Sequence, residues 1–299
     1  MTTRHISKTL ILLVAAVLLL PACHEKMDYD YSRWYVDPYA AEAGRPVCVM
    51  SFNLRAAHID ADENRWDNRR PAVNAMIKDR TPVLLGVQEC DYLQREHILA
   101  DNPAYGAIGV GFGGPTEECE EDIIFYIKDS LDVISSGTFY LTNTPDMPSK
   151  MGQTNHYRVC TWALVRLKAD GKQMYHFNTH LDTNESIQAP EMAVIFDKIQ
   201  SINTANLPIF LTADWNCEEN STVFSGIRGA GFKSARQEAA VGDSHKTFNG
   251  FGRYGNGQTL DHCWFKGFGG VNRFTTIRDK YARVPYISDH YPIEIVLKF

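Results

Sequence analysis

The chain has 299 residues and seven cysteines, yet no C-x-x-C pair. Its absence argues against a zinc site. Cys48, Cys90, Cys119, Cys160, Cys217 and Cys263 stand alone, four of them in or beside apolar runs, and read as buried free thiols rather than a disulfide framework. No uninterrupted apolar run reaches the roughly 20 residues a bilayer span needs. Repeats, low-complexity tracts and Pro/Gly linkers are also missing, so nothing divides the chain after its first residues. Positive charge is in short supply. Thirty Lys and Arg face 36 Asp and Glu, a net charge of −6. Avid nonspecific nucleic-acid binding depends on cations neutralising phosphates, so a stable nucleic-acid complex is not expected.

The first residues do carry a pattern. Arg4 and Lys8 precede the apolar stretch Thr9–Leu20, and small residues then lead to Cys23. This is the three-region layout of a secretion signal. The sequence Leu20-Pro21-Ala22-Cys23 resembles a bacterial lipoprotein box, which implies acylation at Cys23. The expected organisation is a signal peptide over 1–22, a tether over 23–45 and one domain over 46–299. The chain would then be exported and lipid-anchored in the bacterial cell envelope. Loss of 1–22 leaves 28 basic and 36 acidic residues, a charge of −8.

Short runs rich in Val, Ile, Phe, Tyr and Trp predict strands at 47–52, 83–87, 105–111, 122–127, 131–141, 159–168, 173–179, 208–213, 259–266, 271–278 and 291–298. Apolar residues at three- and four-residue spacing predict helices over 67–80 and 187–203. Many strands with few helices point to an α+β fold of two packed mixed sheets with helices outside.

The polar residues gather where these strands stop. Asn53 follows VMSF, and Gln88 and Glu89 follow LLGV. His180 and Asp182 end HFNTHLD, and Asp214 and Asn216 end IFLTADWN. Asp261 lies in TLDHCWF, while Asp289 and His290 lie in ISDHYPI just before the last strand. Any one of them could be a turn former or helix cap. Six strand ends furnished with Asn, Asp, Glu and His but neither Lys nor Ser are not explained by turns. Asp214 and Asn216, at i and i+2 on an extended chain, point the same way and offer an anion beside a neutral donor and acceptor.

In order, SFNLR, GVQEC, NTHLD, LTADWN, LDHCW and SDHYP resemble the motifs of the endonuclease/exonuclease/phosphatase superfamily. Secondary pieces RWDNRR, FYLTNTP, RVCTW and KTFNGF are most similar to a bacterial branch near the deadenylase-like proteins. Two departures, Ala213 for the usual Gly and His262 for the usual aromatic, remove no functional side chain. The resemblance covers about 46–299. It implies a four-layer αββα sandwich of the deoxyribonuclease I-like fold, with a metal-dependent phosphoesterase site at one edge of the sheets.

The implied roles follow residue by residue. Glu89, with Asn53 and Asp289, would hold Mg²⁺ or Mn²⁺, hard cations that take oxygen ligands. Asp214 would orient or deprotonate water, or help hold a second metal, and Asn216 would donate to a phosphate oxygen. His290, steered by Asp261, would do acid/base work. His180 would stabilise phosphoryl charge, with Glu120 as its carboxylate partner. Arg158 would be a fixed cation for substrate phosphate. His58, His97, His156, His176, His245 and His262 read as structural or solvent-facing, and Trp66, Phe248 and Phe251 as core. The expected activity is hydrolysis of a phosphodiester or phosphomonoester in a phosphorylated small molecule, lipid headgroup or nucleotide, by a monomer. The alternatives are a nuclease and a catalytically silent surface-binding lipoprotein. The silent alternative predicts loss of Glu89, Asp214, Asn216, Asp289 or His290; all five are present.

Overall fold

All eleven runs form strands. In the computed structural model, which describes residues 47–110, 120–152, 154, 156–253 and 257–299, they are β1 (Val47–Asn53), β2 (Leu84–Asp91), β3 (Tyr105–Ile108), β4 (Glu120–Ile127), β5 (Leu131–Tyr140), β6 (Val159–Leu167), β7 (Gln173–His180), β8 (Ile209–Asp214), β11 (Asp261–Lys266), β12 (Gly270–Thr276) and β13 (Ile293–Lys298). Cys23, the signal peptide and the tether lie outside the described residues. Two strands too short to stand out in sequence, β9 (Lys233–Ser234) and β10 (Ala239–Val241), complete the sheets. One sheet runs β10-β12-β13-β1-β2-β4-β3, the other β5-β6-β7-β8-β11-β9.

The expected helices are α1 (Trp66–Arg80) and α3 (Glu185–Ile202). α2 (Tyr92–Asp101) was not expected. It leaves Tyr92 and Leu93 exposed and buries Gln94 and Ile98, so it shows no apolar stripe. Its start depends on a capping box in which Asp91 and Gln94 bond each other's backbone N–H groups. Short helices α4 (Ser225–Gly229) and α5 (Ala235–Glu238) follow β8. Among the described residues no helix is long and apolar enough to cross a membrane.

Three apolar clusters define the four layers. Val49, Leu84, Met174, Phe210, Phe265 and Ile295 lie between the sheets. Met50, Phe52, Leu85 and Phe125 pack outward against Val73, Met76 and Ile77 of α1. Phe177, Ile209 and Leu211 pack outward against Met192, Ile195 and Ile199 of α3. Each such side chain contributes about 1.5–3 kcal/mol on burial.

Topology fixes where the functional ends meet. β1 and β2 pair in parallel through α1, and β7 and β8 in parallel through α3, as parallel strands require a crossover. Their C-terminal ends carry Asn53, Glu89, His180 and Asp214. β11 runs antiparallel to β8, with Asp261 opposite Asp214. β13 runs antiparallel to β1, so the segment before it, with Asp289 and His290, arrives at the same edge.

Candidate metal-dependent active site

The Asn53 amide lies between two carboxylates. Its Nδ2 donates to Glu89 Oε1 and to Asp214 Oδ2, both at 2.9 Å, while its Oδ1 accepts the Arg55 N–H at 2.9 Å. Asp214 Oδ2 also lies 3.5 Å from Nε2 of both His180 and His290. His290 Nδ1 bonds Asp261 Oδ2 at 2.8 Å. Asp289 lies 3.7 Å from the Arg55 guanidinium and close enough to Glu89 to act on its ionisation. Residues from both sheets thus meet in one cluster.

Glu89 reaches it through a local irregularity. The β2–β4 register shifts between Val87 and Cys90, and Glu89 takes a φ of 51°. Regular alternation would send Glu89 outward with Val87; a bulge re-aims it inward. Asn216 also has a positive φ, 49°, in a region where Asn is several-fold enriched. Strain of this kind clusters at functional sites.

Asn216, expected to donate to a phosphate oxygen, has its amide bonded within the protein. Its Nδ2 bonds Leu181 O at 2.8 Å and His180 Nε2 at 2.9 Å, so both amide hydrogens are engaged and His180 Nε2 is an acceptor. The side chain of Glu120, the expected partner of His180, lies outside the described residues; its backbone pairs with Asp91. Arg158 is buried, with Nε 4.0 Å from Asp182 Oδ2, and its charge is felt by His180.

The two imidazoles are driven apart. Burial and the neighbouring Arg158 and His290 charges push His180 well below the usual range. Burial also opposes charge on His290, but Asp261, Asp214 and Asp289 outweigh it and raise that group well above. Burial lifts Asp214 to about 6 against the pull of His290, and burial with the Asp289 charge raises Glu89. The opposed shifts leave the two adjacent imidazoles in different protonation states.

The donor set suits a divalent cation. Atoms of Glu89, His180 and Asp214 lie within 4.8 Å of one another, as do those of Asp214, Asp261 and His290. Glu89 Oε2 is buried and makes no hydrogen bond among the described residues. An ionised carboxylate oxygen left that way is costly, and a bound cation would offset that cost.

Sequence reading missed several supports. The Arg69 guanidinium donates to Asn64 O, Leu54 O, Arg55 O and Ile287 O at 2.5, 2.7, 2.8 and 3.1 Å, tying the loop after Asn53 to the segment before Asp289. Thr247 Oγ1 accepts the N–H groups of Leu260 and Asp261, each at 3.0 Å. Phe248 is half-buried with its ring centroid 5.0 Å from that of His290, so it lines the site, whereas Trp66 is core. The Arg-rich RWDNRR and the KTFNGF motif were the available signals.

The Endonuclease/Exonuclease/phosphatase family matches residues 50–290. The chain is 26% identical to mannosyl-6-phosphatase of Bacteroides thetaiotaomicron VPI-5482, with a TM-score of 0.78 over 85% of this chain and 100% of that one. An endonuclease/exonuclease/phosphatase from Bacteroides vulgatus is 30% identical, with a TM-score of 0.78 over 85% and 99%. An uncharacterized protein of Acanthamoeba polyphaga mimivirus is 24% identical over 251 residues, 78% of this chain and 92% of the relative.

Proposed function

The chain belongs to the endonuclease/exonuclease/phosphatase family, and on that premise we propose a Mg²⁺- or Mn²⁺-dependent phosphoesterase that delivers water to the phosphorus of a small phosphorylated substrate. Nucleases and phosphatases alike hydrolyse phosphoester bonds. The observation that carries the reading is Glu89, His180 and Asp214 converging within 4.8 Å around a Glu89 oxygen that has no hydrogen-bond partner among the described residues.

Glu89, with Asp289 and the Asp214 carboxylate in reach, would hold the ion. When bound, a divalent cation offsets the negative charge of the phosphoryl oxygens and of the carboxylates themselves. Asp214 and His290, 3.5 Å apart, are too close to flank opposite faces of an in-line displacement and so serve one side of the phosphorus. Asp214 is the base that accepts the proton of the attacking water as its oxygen bonds to phosphorus. The phosphorus–oxygen bond to the alcohol breaks on the opposite side, and the alcohol leaves with a proton taken from solvent. His290, kept cationic by Asp261, donates Nε2–H to a phosphoryl oxygen and holds Asp214 ionised. Arg158 supplies a fixed cation for the phosphoryl group, and His180, whose Nε2 also lies 3.5 Å from Asp214, stands on the same side as His290. Asn216 orients His180, and donates to a phosphate oxygen if that bond gives way.

An acidic chain with a few buried arginines favours a compact anion over a nucleic-acid backbone. The mannosyl-6-phosphatase likeness supports a phosphorylated sugar. We further propose export, acylation of Cys23 and action as a monomer at the cell envelope. The deciding test compares mannose 6-phosphate and other sugar phosphates with nucleotides, inositol phosphates, sphingomyelin and oligonucleotides, each with Mg²⁺, Mn²⁺ or EDTA. Sugar-phosphate turnover abolished by EDTA is expected; turnover indifferent to EDTA overturns the metal reading, and preference for oligonucleotides the substrate class. Retention of a Cys23→Ser chain in the membrane fraction would overturn the anchor.

A further inference from the structure

Beneath the charged site lies a second, neutral polar tier. The inward faces of β1, β2, β7 and β8 change from apolar to neutral to ionic toward the site, with Ser51, Gln88, Asn178 and Thr212 in the middle. Each is fully buried, and each stands one or two residues before a site residue: Asn53, Glu89, His180 and Asp214.

Their hydrogen bonds have one consistent direction. Asn178 Nδ2 donates to Val87 O at 2.7 Å and to Ile123 O at 3.1 Å. Asn178 Oδ1 therefore accepts, from Gln88 Nε2 at 2.7 Å and from Thr212 Oγ1 at 2.9 Å. The remaining Gln88 N–H reaches Ser51 Oγ at 3.1 Å. With its hydrogen committed, Thr212 Oγ1 accepts from His176 Nε2 at 2.7 Å. Gly86 makes room for this arrangement, since a Cβ there would sit 2.3 Å from Thr212 Oγ1 and 2.5 Å from Asn178 Oδ1.

Asn178 belongs to one sheet; Val87 and Ile123 belong to the other, at the last regular pair before the β2–β4 register shift. The Asn178 amide thus satisfies two carbonyls at the base of the bulge that turns Glu89 inward. We propose that Asn178 is a positioning residue, holding the Glu89 bulge in place from the opposite sheet, with Thr212 fixing the orientation of its amide. The proposal rests on the phosphoesterase reading for its functional consequence, but not for its structural one.

The test uses the full chain with Asn178→Asp, which keeps the shape and removes both N–H donors, and Thr212→Val against the conservative Thr212→Ser. Hydrogen–deuterium exchange of peptides covering 86–91 reads the bulge without reference to metal or substrate. In Asn178→Asp, exchange there rises about tenfold or more, the factor expected for a lost buried hydrogen bond, while α3 is unchanged. In parallel, kcat falls by a similar factor with KM little altered, and the Mn²⁺-induced rise in melting temperature shrinks. Thr212→Val shows the same pattern more weakly and Thr212→Ser restores it; these two carry the test if Asn178→Asp does not fold. Unchanged exchange over 86–91, or a uniform rise across the whole chain, overturns the proposal. A wild-type chain without metal-dependent turnover overturns the phosphoesterase reading instead, while the exchange result still judges Asn178.

Discussion

His290 Nε2 stands 3.5 Å from Asp214 Oδ2 while its other ring nitrogen bonds Asp261 at 2.8 Å. An imidazole held between two carboxylates is kept protonated, and in the proposed mechanism one of those carboxylates accepts the proton of the attacking water. His290→Asn should therefore lower kcat by about 10²–10⁴-fold, and Asp261→Asn by less, since it removes the support and leaves the ring. Steady-state kinetics on samples of unchanged circular dichroism checks this; wild-type kcat in His290→Asn would remove the assignment.

Glu89 sets stability against function. Without a cation its buried charge, beside that of Asp289, is a cost. Glu89→Gln should melt at the same or a higher temperature than wild type in EDTA, yet gain nothing from added Mn²⁺, whereas wild type gains by mass action. Differential scanning fluorimetry with and without Mn²⁺ measures both; an undiminished Mn²⁺ shift in Glu89→Gln would contradict the ligand assignment.

Two groups outside the catalytic set give pH dependences of opposite sign. Burial lowers His176 from 6.5 to about 3. The unfolded chain then binds the extra proton, and stability present above pH 6.5 is lost as pH falls toward 3. Burial raises Glu191 from 4.5 to about 7, so the folded chain binds the proton, and stability present below 4.5 is lost as pH rises to 7. Each contributes a slope of at most about 1.4 kcal/mol per pH unit. His176→Gln should flatten the acid limb and Glu191→Gln should stabilise above pH 7 without effect below 4.5. Urea denaturation across pH 3–8 tests the signs.

Arg69 bonds four backbone carbonyls. Lysine has one nitrogen and cannot present the planar fork. Arg69→Lys should cost about 3 kcal/mol or more, since buried carbonyls lose their donors at about 1–3 kcal/mol each. A urea midpoint within error of wild type would show that water or neighbouring groups replace the guanidinium.

Much of the fold was legible because strands announce themselves by composition. The eleven runs and the two longer helices carry apolar side chains at periods of 2 and 3.6. β9 and β10 span only two and three residues, and α2 depends on a cap rather than a stripe. The site was legible as a list of strand ends and, through the family resemblance, in the His290–Asp261 bond, but not in its other bonds. That Asn216 turns its amide to His180, that Asn53 sits between two carboxylates, and that Phe248 packs on His290 all depend on residues far apart in the chain. Of the six histidines read as structural or solvent-facing, His176 is structural: it is fully buried and ends the hydrogen-bonded tier under the site.

Sequence by itself determined which residues are ionic, that they fall at the ends of apolar runs, and that the runs alternate with a period that buries one face of each sheet. These are local properties, set by neighbouring residues and by the backbone. Only the tertiary structure decided that the ends of β1, β2, β7 and β8 and the segments before β11 and β13 share one edge, and that a bulge turns Glu89 inward. The crossing direction of strands and the burial that shifts His180 and His290 apart come from packing one sheet on another, and no window of sequence contains that information.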